Sequence, residues 1–98
     1  MKPVRLLPEA QEELEAAAVW YEGRSVGLGA AFADEVEAVL GEIGSRPHQH
    51  ARWAFDERYQ KLKTSRFPYL VFYEERAAEI LVVAIAHGRR RPGYWLDR

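Results

Sequence analysis

Phe67-Pro68-Tyr69-Leu70-Val71-Phe72-Tyr73, a polar break at Glu75-Arg76-Ala77-Ala78, and Ile80-Leu81-Val82-Val83-Ala84-Ile85-Ala86 decide how this chain is read. The first run is β-branched and aromatic, with Pro68 near its start, where a strand tolerates the missing N–H. The second is apolar at every position, as a central strand buried on both faces must be. The residues between them form a polar turn. Upstream, Arg52-Trp53-Ala54-Phe55 and Tyr59-Gln60-Lys61-Leu62-Lys63 predict two shorter strands. Downstream, the basic and aromatic segment from His87 to Arg98 predicts a turn and a frayed final helix.

The first half of the chain has a different period. Val4-Arg5-Leu6-Leu7 predicts a short strand stopped by Pro8, and Pro8 suits the first position of a helix, where its N–H is not needed. Glu9, Glu12 and Glu13 follow at the end of the helix dipole that favours negative charge. Ala10, Leu14, Ala17, Ala18 and Tyr21 recur at three- and four-residue spacing, an amphipathic stripe. Gly23 and Gly27-Leu28-Gly29 break it. A second stripe, Phe32, Val36, Val39, Leu40 and Ile43, runs to Gly44 and is closed by Pro47. The expected fold is therefore α+β: an N-terminal strand, a helical hairpin, then a three- to four-stranded, mainly antiparallel sheet with a basic open face.

At 98 residues and 11.3 kDa, residues 1–98 suit a single domain, with an expected folded surface of about 5,700 Å². The absence of cysteine excludes a disulfide framework, a thiolate metal site and a cysteine nucleophile. No apolar run approaches a membrane span and no signal peptide is evident, so a cytoplasmic location without membrane association is expected. The net charge of −1 hides an asymmetry. Residues 9–42 carry nine acidic side chains against Arg24 alone, whereas residues 46–98 carry eleven basic and six acidic ones. Two faces of opposite potential are expected, one suited to nucleic acid or an acidic partner.

Few residues invite catalysis by metal or nucleophile. His48-Gln49-His50 has no third ligand close in sequence, and His87 stands alone, so no metal site is assigned and the histidines keep open roles. Ser25, Ser45 and Ser65 lack a nucleophile-elbow setting, and the acidic residues read as a solvated helix face. The basic residues are more informative. Tyr59, Lys61 and Lys63 project to one face of an extended strand, with Leu62 on the other. Arg58, Arg66 and the run Arg89-Arg90-Arg91 can converge on that face, beside Tyr94 and Trp95. Cations interleaved with aromatics suit phosphate neutralisation with base stacking, or docking of an acidic peptide.

Several segments together resemble the ParE/RelE toxin superfamily. They are Leu7-Pro8-Glu9-Ala10, Trp20-Tyr21-Glu22, Gly27-Leu28-Gly29 before Phe32, Arg66-Phe67-Pro68-Tyr69-Leu70-Val71-Phe72-Tyr73, and His87-Gly88-Arg89-Arg90-Arg91-Pro92-Gly93-Tyr94-Trp95. The resemblance spans almost the whole chain in the right order. It implies the toxin half of a type II toxin–antitoxin pair, a cognate antitoxin as partner, and no cofactor. ParE-like members are non-enzymatic inhibitors of DNA gyrase. RelE-like members are ribosome-dependent, metal-independent endonucleases that cut mRNA, using Lys and Arg around the scissile phosphate and a terminal Tyr as proton donor.

Carried over position by position, the resemblance places Lys61, Lys63 and Arg89 where the nucleases hold cations. The strand arginine is here Leu70, and the terminal tyrosine position holds Trp95, which cannot transfer that proton, with Tyr94 one residue early. Phe-Pro-Tyr and Arg-Pro-Gly-Tyr-Trp resemble the ParE branch. Gyrase inhibition is the favoured implication. The alternatives are an mRNA endonuclease built on Lys61, Lys63, Arg89 and Tyr94, or a non-toxic binding module. An antitoxin segment is expected across Arg58, Lys61, Lys63 and Arg89, with a helix in a groove at Trp20, Tyr21 and Leu28. Trp95 is expected at the surface, where its removal would spare the fold.

Overall fold

The computed structural model describes residues 2–98. In chain order they form β1 (Val4–Leu6), α1 (Pro8–Arg24), α2 (Leu28–Ser45), a 3-10 turn (Pro47–Gln49), β2 (Tyr59–Lys63), β3 (Tyr69–Glu75) and β4 (Ile80–His87). The four strands make one mixed sheet in the order β1-β4-β3-β2. β1 pairs parallel with β4, Val4 opposite Ile80, while β4 with β3 and β3 with β2 are antiparallel. The all-apolar run thus occupies a central position, as its composition requires.

The helical hairpin turns sharply for local reasons. α1 continues through Gly23 instead of breaking there, and ends at Arg24, with Ser25 as its extended cap residue. Gly27 then takes φ 87°, the left-handed conformation that glycine adopts without steric cost. The Glu22 carboxylate accepts from the N–H groups of Gly27 (2.9 Å) and Gly29 (3.0 Å), satisfying donors that the start of α2 leaves open. Gly29 also lets the two helices approach each other closely. A Cβ there would stand 2.4 Å from the Ala18 carbonyl oxygen.

Both faces of the sheet are packed. On the helical face Phe32, Val36 and Ile43 of α2 meet Val71, Tyr73 and Val82, and Tyr21, Phe32, Phe67 and Tyr69 form an aromatic stack with centroids 4.7–6.2 Å apart. On the opposite face Trp53, Tyr59, Phe72 and Trp95 cluster over Leu81, Val83 and Ala84. The expected open face is therefore half closed, and by segments without regular structure. Residues 52–55 are not a strand: one bridge links Arg52 to Gln60, and the chain turns at once so that Trp53 N–H donates to Tyr59 O (2.8 Å). The final residues form successive turns instead of a helix, with Gly93 at φ +88° laying Trp95 against Trp53. The accessible surface is 5959 Å², close to that expected for a compact chain of this mass.

Candidate functional site

The sheet register puts Lys61 opposite Phe72, which faces Ala84, and Lys63 opposite Leu70, which faces Ala86. Both lysines thus share the face of the Trp53–Trp95 cluster. Lys63 is exposed, but its ammonium donates to the carbonyls of Thr64 (3.0 Å) and Phe67 (3.3 Å) in the β2–β3 turn. Lys61 is half-buried and has no partner among the described residues. Leu70 stands half-buried between Lys63 and Ala86, so the row that a phosphate would cross holds an aliphatic side chain.

The remaining predicted cations do not converge on one point. Arg58 is paired side-on with Asp56 (2.6 Å) and rests on the Tyr59 ring. Arg66 is tied to Glu35 of α2, whose carboxyl the Arg66 N–H and guanidinium hold below the usual carboxylate range. The run after β4 fans out: Arg89 is exposed, its N–H donating to His87 Nδ1; Arg90 covers the Tyr94 ring at 3.6 Å; Arg91 points to the opposite face, beside Trp53 and Phe55. Trp95 is 1% exposed and packs on Trp53, Tyr59 and Phe72 with centroids 4.6–5.0 Å apart. It is a core residue, not the surface aromatic expected, because Gly93 turns it inward.

A residue that the charge pattern disguised organises this end of the molecule. β1 covers only Ile80–Val82 of β4, leaving the rest of that edge without a neighbouring strand. There Glu13 of α1 accepts from the Ile85 N–H (3.0 Å), and Arg98 donates to the Val83 carbonyl (3.1 Å). The two side chains form a two-bonded ion pair at 2.9 Å, and Tyr94 OH donates to the same carboxylate. Burial alone pushes the Glu13 carboxyl up, but the bonds from Arg98, Tyr94 and Ile85 outweigh it and hold the pKa below the usual range. Burial and the Glu13 bond raise the Tyr94 hydroxyl well above its ordinary value, so Tyr94 is a poor source of protons at neutral pH. Glu13 reads as one of many helix acids, yet it shares the stripe of Ala10 and Ala17, a spacing that marks it as inward-facing.

The described residues present two apolar grooves. One, of about 540 Å³, lies on the helical side between α1 and the β3–β4 end, lined by Ala17, Trp20, Tyr21, Tyr69, Ile85 and His87. Trp20 is 55% exposed at its rim, next to exposed Val19. The groove takes in Trp20 and Tyr21 as expected, but not Leu28. The other, of about 650 Å³, lies on the opposite side among Trp53, Phe55, Arg91, Gly93 and Leu96. The histidines sit apart: His48 Nδ1 is 2.8 Å from Glu75, His50 is tucked near Glu42 at 3.5 Å, and His87 lines the first groove. No group of three potential metal ligands occurs among the described residues, and no described helix is long and apolar enough to cross a membrane.

Comparison with known proteins agrees with this architecture. The chain is similar in structure to a protein of the "Chromosomal ParDE TA system from P. aeruginosa", with a TM-score of 0.66 and 14% identity over 89% of this chain and 96% of that one. At that identity the likeness is one of fold. No curated protein sequence is significantly similar. The family described as "ParE toxin of type II toxin-antitoxin system, parDE" matches residues 4–92, the whole span from β1 to the arginine run. With all of its helices and strands inside that match, the chain belongs to the ParE toxin family of type II toxin–antitoxin systems.

Proposed function

We propose that this toxin acts by binding, as an inhibitor of DNA gyrase, and that a cognate antitoxin neutralises it in the cytoplasm. One observation carries the choice of binding over RNA cleavage. The positions that would stabilise and protonate a cleaved phosphate hold Leu70 and the buried Trp95, while neighbouring Tyr94 is bonded to Glu13 with its pKa raised. Losing one charge-stabilising donor commonly costs a hundredfold or more in rate. The surviving cations, Lys61, Lys63 and Arg89, supply attraction without the terminal tyrosine donor.

The groove beside Trp20 suits an antitoxin helix, since apolar grooves of this kind seat the apolar face of an amphipathic helix. An acidic stretch of the same partner would reach Lys61 and Lys63. The test is pulse-labelling of DNA and protein synthesis after induction of the toxin alone, followed by a supercoiling assay with purified gyrase. DNA synthesis failing first, with supercoiling inhibited, is the expected result. Protein synthesis failing first, with gyrase unaffected, overturns the reading and returns the cations to mRNA cleavage.

A further inference from the structure

The second groove is separate from the one proposed above to seat the antitoxin helix. Phe55 is 81% exposed and Leu96 is 45% exposed, and the two stand in one concavity floored by Trp53 and Gly93. Isolated exposed apolar residues are ordinary, but a shared groove of them marks a contact surface. The loop that displays Phe55 is built, not loose. Asp56 N–H donates to Trp53 O (3.3 Å) and Tyr59 N–H to Asp56 O (3.1 Å). Arg52 donates to Glu57 O (2.8 Å), and Arg58 grips Asp56 through Nε and Nη2. The opposite wall is equally fixed: Gly93, at φ +88°, lies so near Trp53 that a Cβ would stand 3.2 Å from its ring. A rigid aromatic presented in this way loses little entropy on binding.

The charge of the groove says what it accepts. Arg91 is its charged lining residue, is exposed, and enters no ion pair among the described residues, while no carboxylate lines the concavity. One cation beside an apolar hollow fits an apolar side chain flanked by a carboxylate better than a phosphate chain, which needs cations in succession. We propose that the groove formed by Phe55, Arg91 and Leu96 is the surface that docks on the toxin's protein target, and that the target offers it an apolar anchor with an adjacent acidic residue. This rests on the reading that the toxin acts by binding gyrase.

The test compares wild type with Phe55→Ser, Arg91→Glu and Val26→Ser in the supercoiling assay, with thermal melting of each. Val26 is even more exposed than Phe55 but lies in the helical turn, so V26S is the control for lost surface hydrophobicity. F55S is expected to raise the inhibitory concentration about thirtyfold, the scale of an interface hot spot, and R91E about tenfold. V26S should match wild type, and all melting temperatures should agree. Should F55S melt early, Leu96→Ser replaces it. Wild type and F55S inhibiting alike overturns the groove and leaves the gyrase reading standing. If wild type does not inhibit gyrase, growth arrest on induction decides: arrest lost in F55S and R91E keeps the groove for another protein target, and arrest retained, or absent in wild type, overturns it. Parallel loss of affinity for a single-stranded oligonucleotide overturns the protein partner in favour of nucleic acid.

Discussion

The two faces of the sheet are both apolar, yet they are covered in different ways. On one, α2 lays down Phe32, Val36, Val39 and Ile43 at regular spacing, with Ala10 and Ala17 of α1 beside them. On the other, Trp53 and Trp95, from irregular segments at opposite ends of the sheet-forming half, close over Tyr59 and Phe72. A helix-covered face is held by many interchangeable contacts. A face covered by two indoles depends on each of them, and on whatever fixes the backbone that carries them. Here that is Gly93 and the Glu13–Tyr94–Arg98 cluster.

The sharpest way to break this contrast is Trp95→Ala, which removes the centre of the second cluster. Deleting a buried Trp costs about 3–5 kcal/mol, and each kcal/mol shifts Tm by about 4–8 °C in a domain of this size. A loss of about 15 °C or more by calorimetry is expected; an unchanged Tm would mean that Trp95 does not hold the face together. On the helical face the comparable lesion is Gly29→Ala, which drives a Cβ into the Ala18 carbonyl oxygen. Overpacking costs about 1–3 kcal/mol, so denaturant unfolding should show a smaller deficit than Trp95→Ala. The reverse order would make the hairpin the more vulnerable side.

Helices and long strands were legible because their signals are periodic. Pro8 and Gly27 punctuate the hairpin, and the apolar run of β4 admits only a central position. The second face was not, since neither the 52–55 turn nor the tail has a period, and Trp53 and Trp95 meet through the fold alone. The same limit applies to the candidate site. Lys61 and Lys63 share a face by simple alternation, whereas the fanning of Arg89, Arg90 and Arg91 depends on turn geometry. Parallel pairing of β1 with β4 also lies beyond local signals, because the register joins Val4 to Ile80. Glu13 was hidden by its neighbours: among nine acids in the first half, its place on the Ala10–Ala17 stripe was the one available sign.

Glu13→Gln sharpens the comparison at the anchor of the second face. Removing the charge weakens the pairing with Arg98 by about 1–2 kcal/mol. The sign with pH follows from the lowered pKa. Stability from Glu13 is complete above the unfolded carboxyl's pKa of about 4.3 and falls as the pH drops through the lower folded-state value. The gap between wild type and E13Q should therefore close in acid, as read by urea unfolding at neutral pH and about pH 3. A constant gap would assign Glu13 a packing role. The smallest effect on the fold is expected for the double change Lys61→Glu and Lys63→Glu, at about 1 kcal/mol or less. Its signature is in binding: weaker antitoxin affinity with a shallower salt dependence. An unchanged salt slope would move the acidic contact off this face.

The place of β4 in the sheet also has a meaning in time. It is the last strand in the sequence and the neighbour of both β1 and β3. During synthesis β1 waits with its edge unpaired until residues 80–82 emerge, about 4–15 s later at ordinary elongation rates. The groove beside Trp20 needs Ile85 and His87, and the opposite groove needs Gly93 and Leu96. Neither surface exists on the nascent chain. An antitoxin made in the same interval therefore has those seconds to accumulate before there is a finished toxin to restrain.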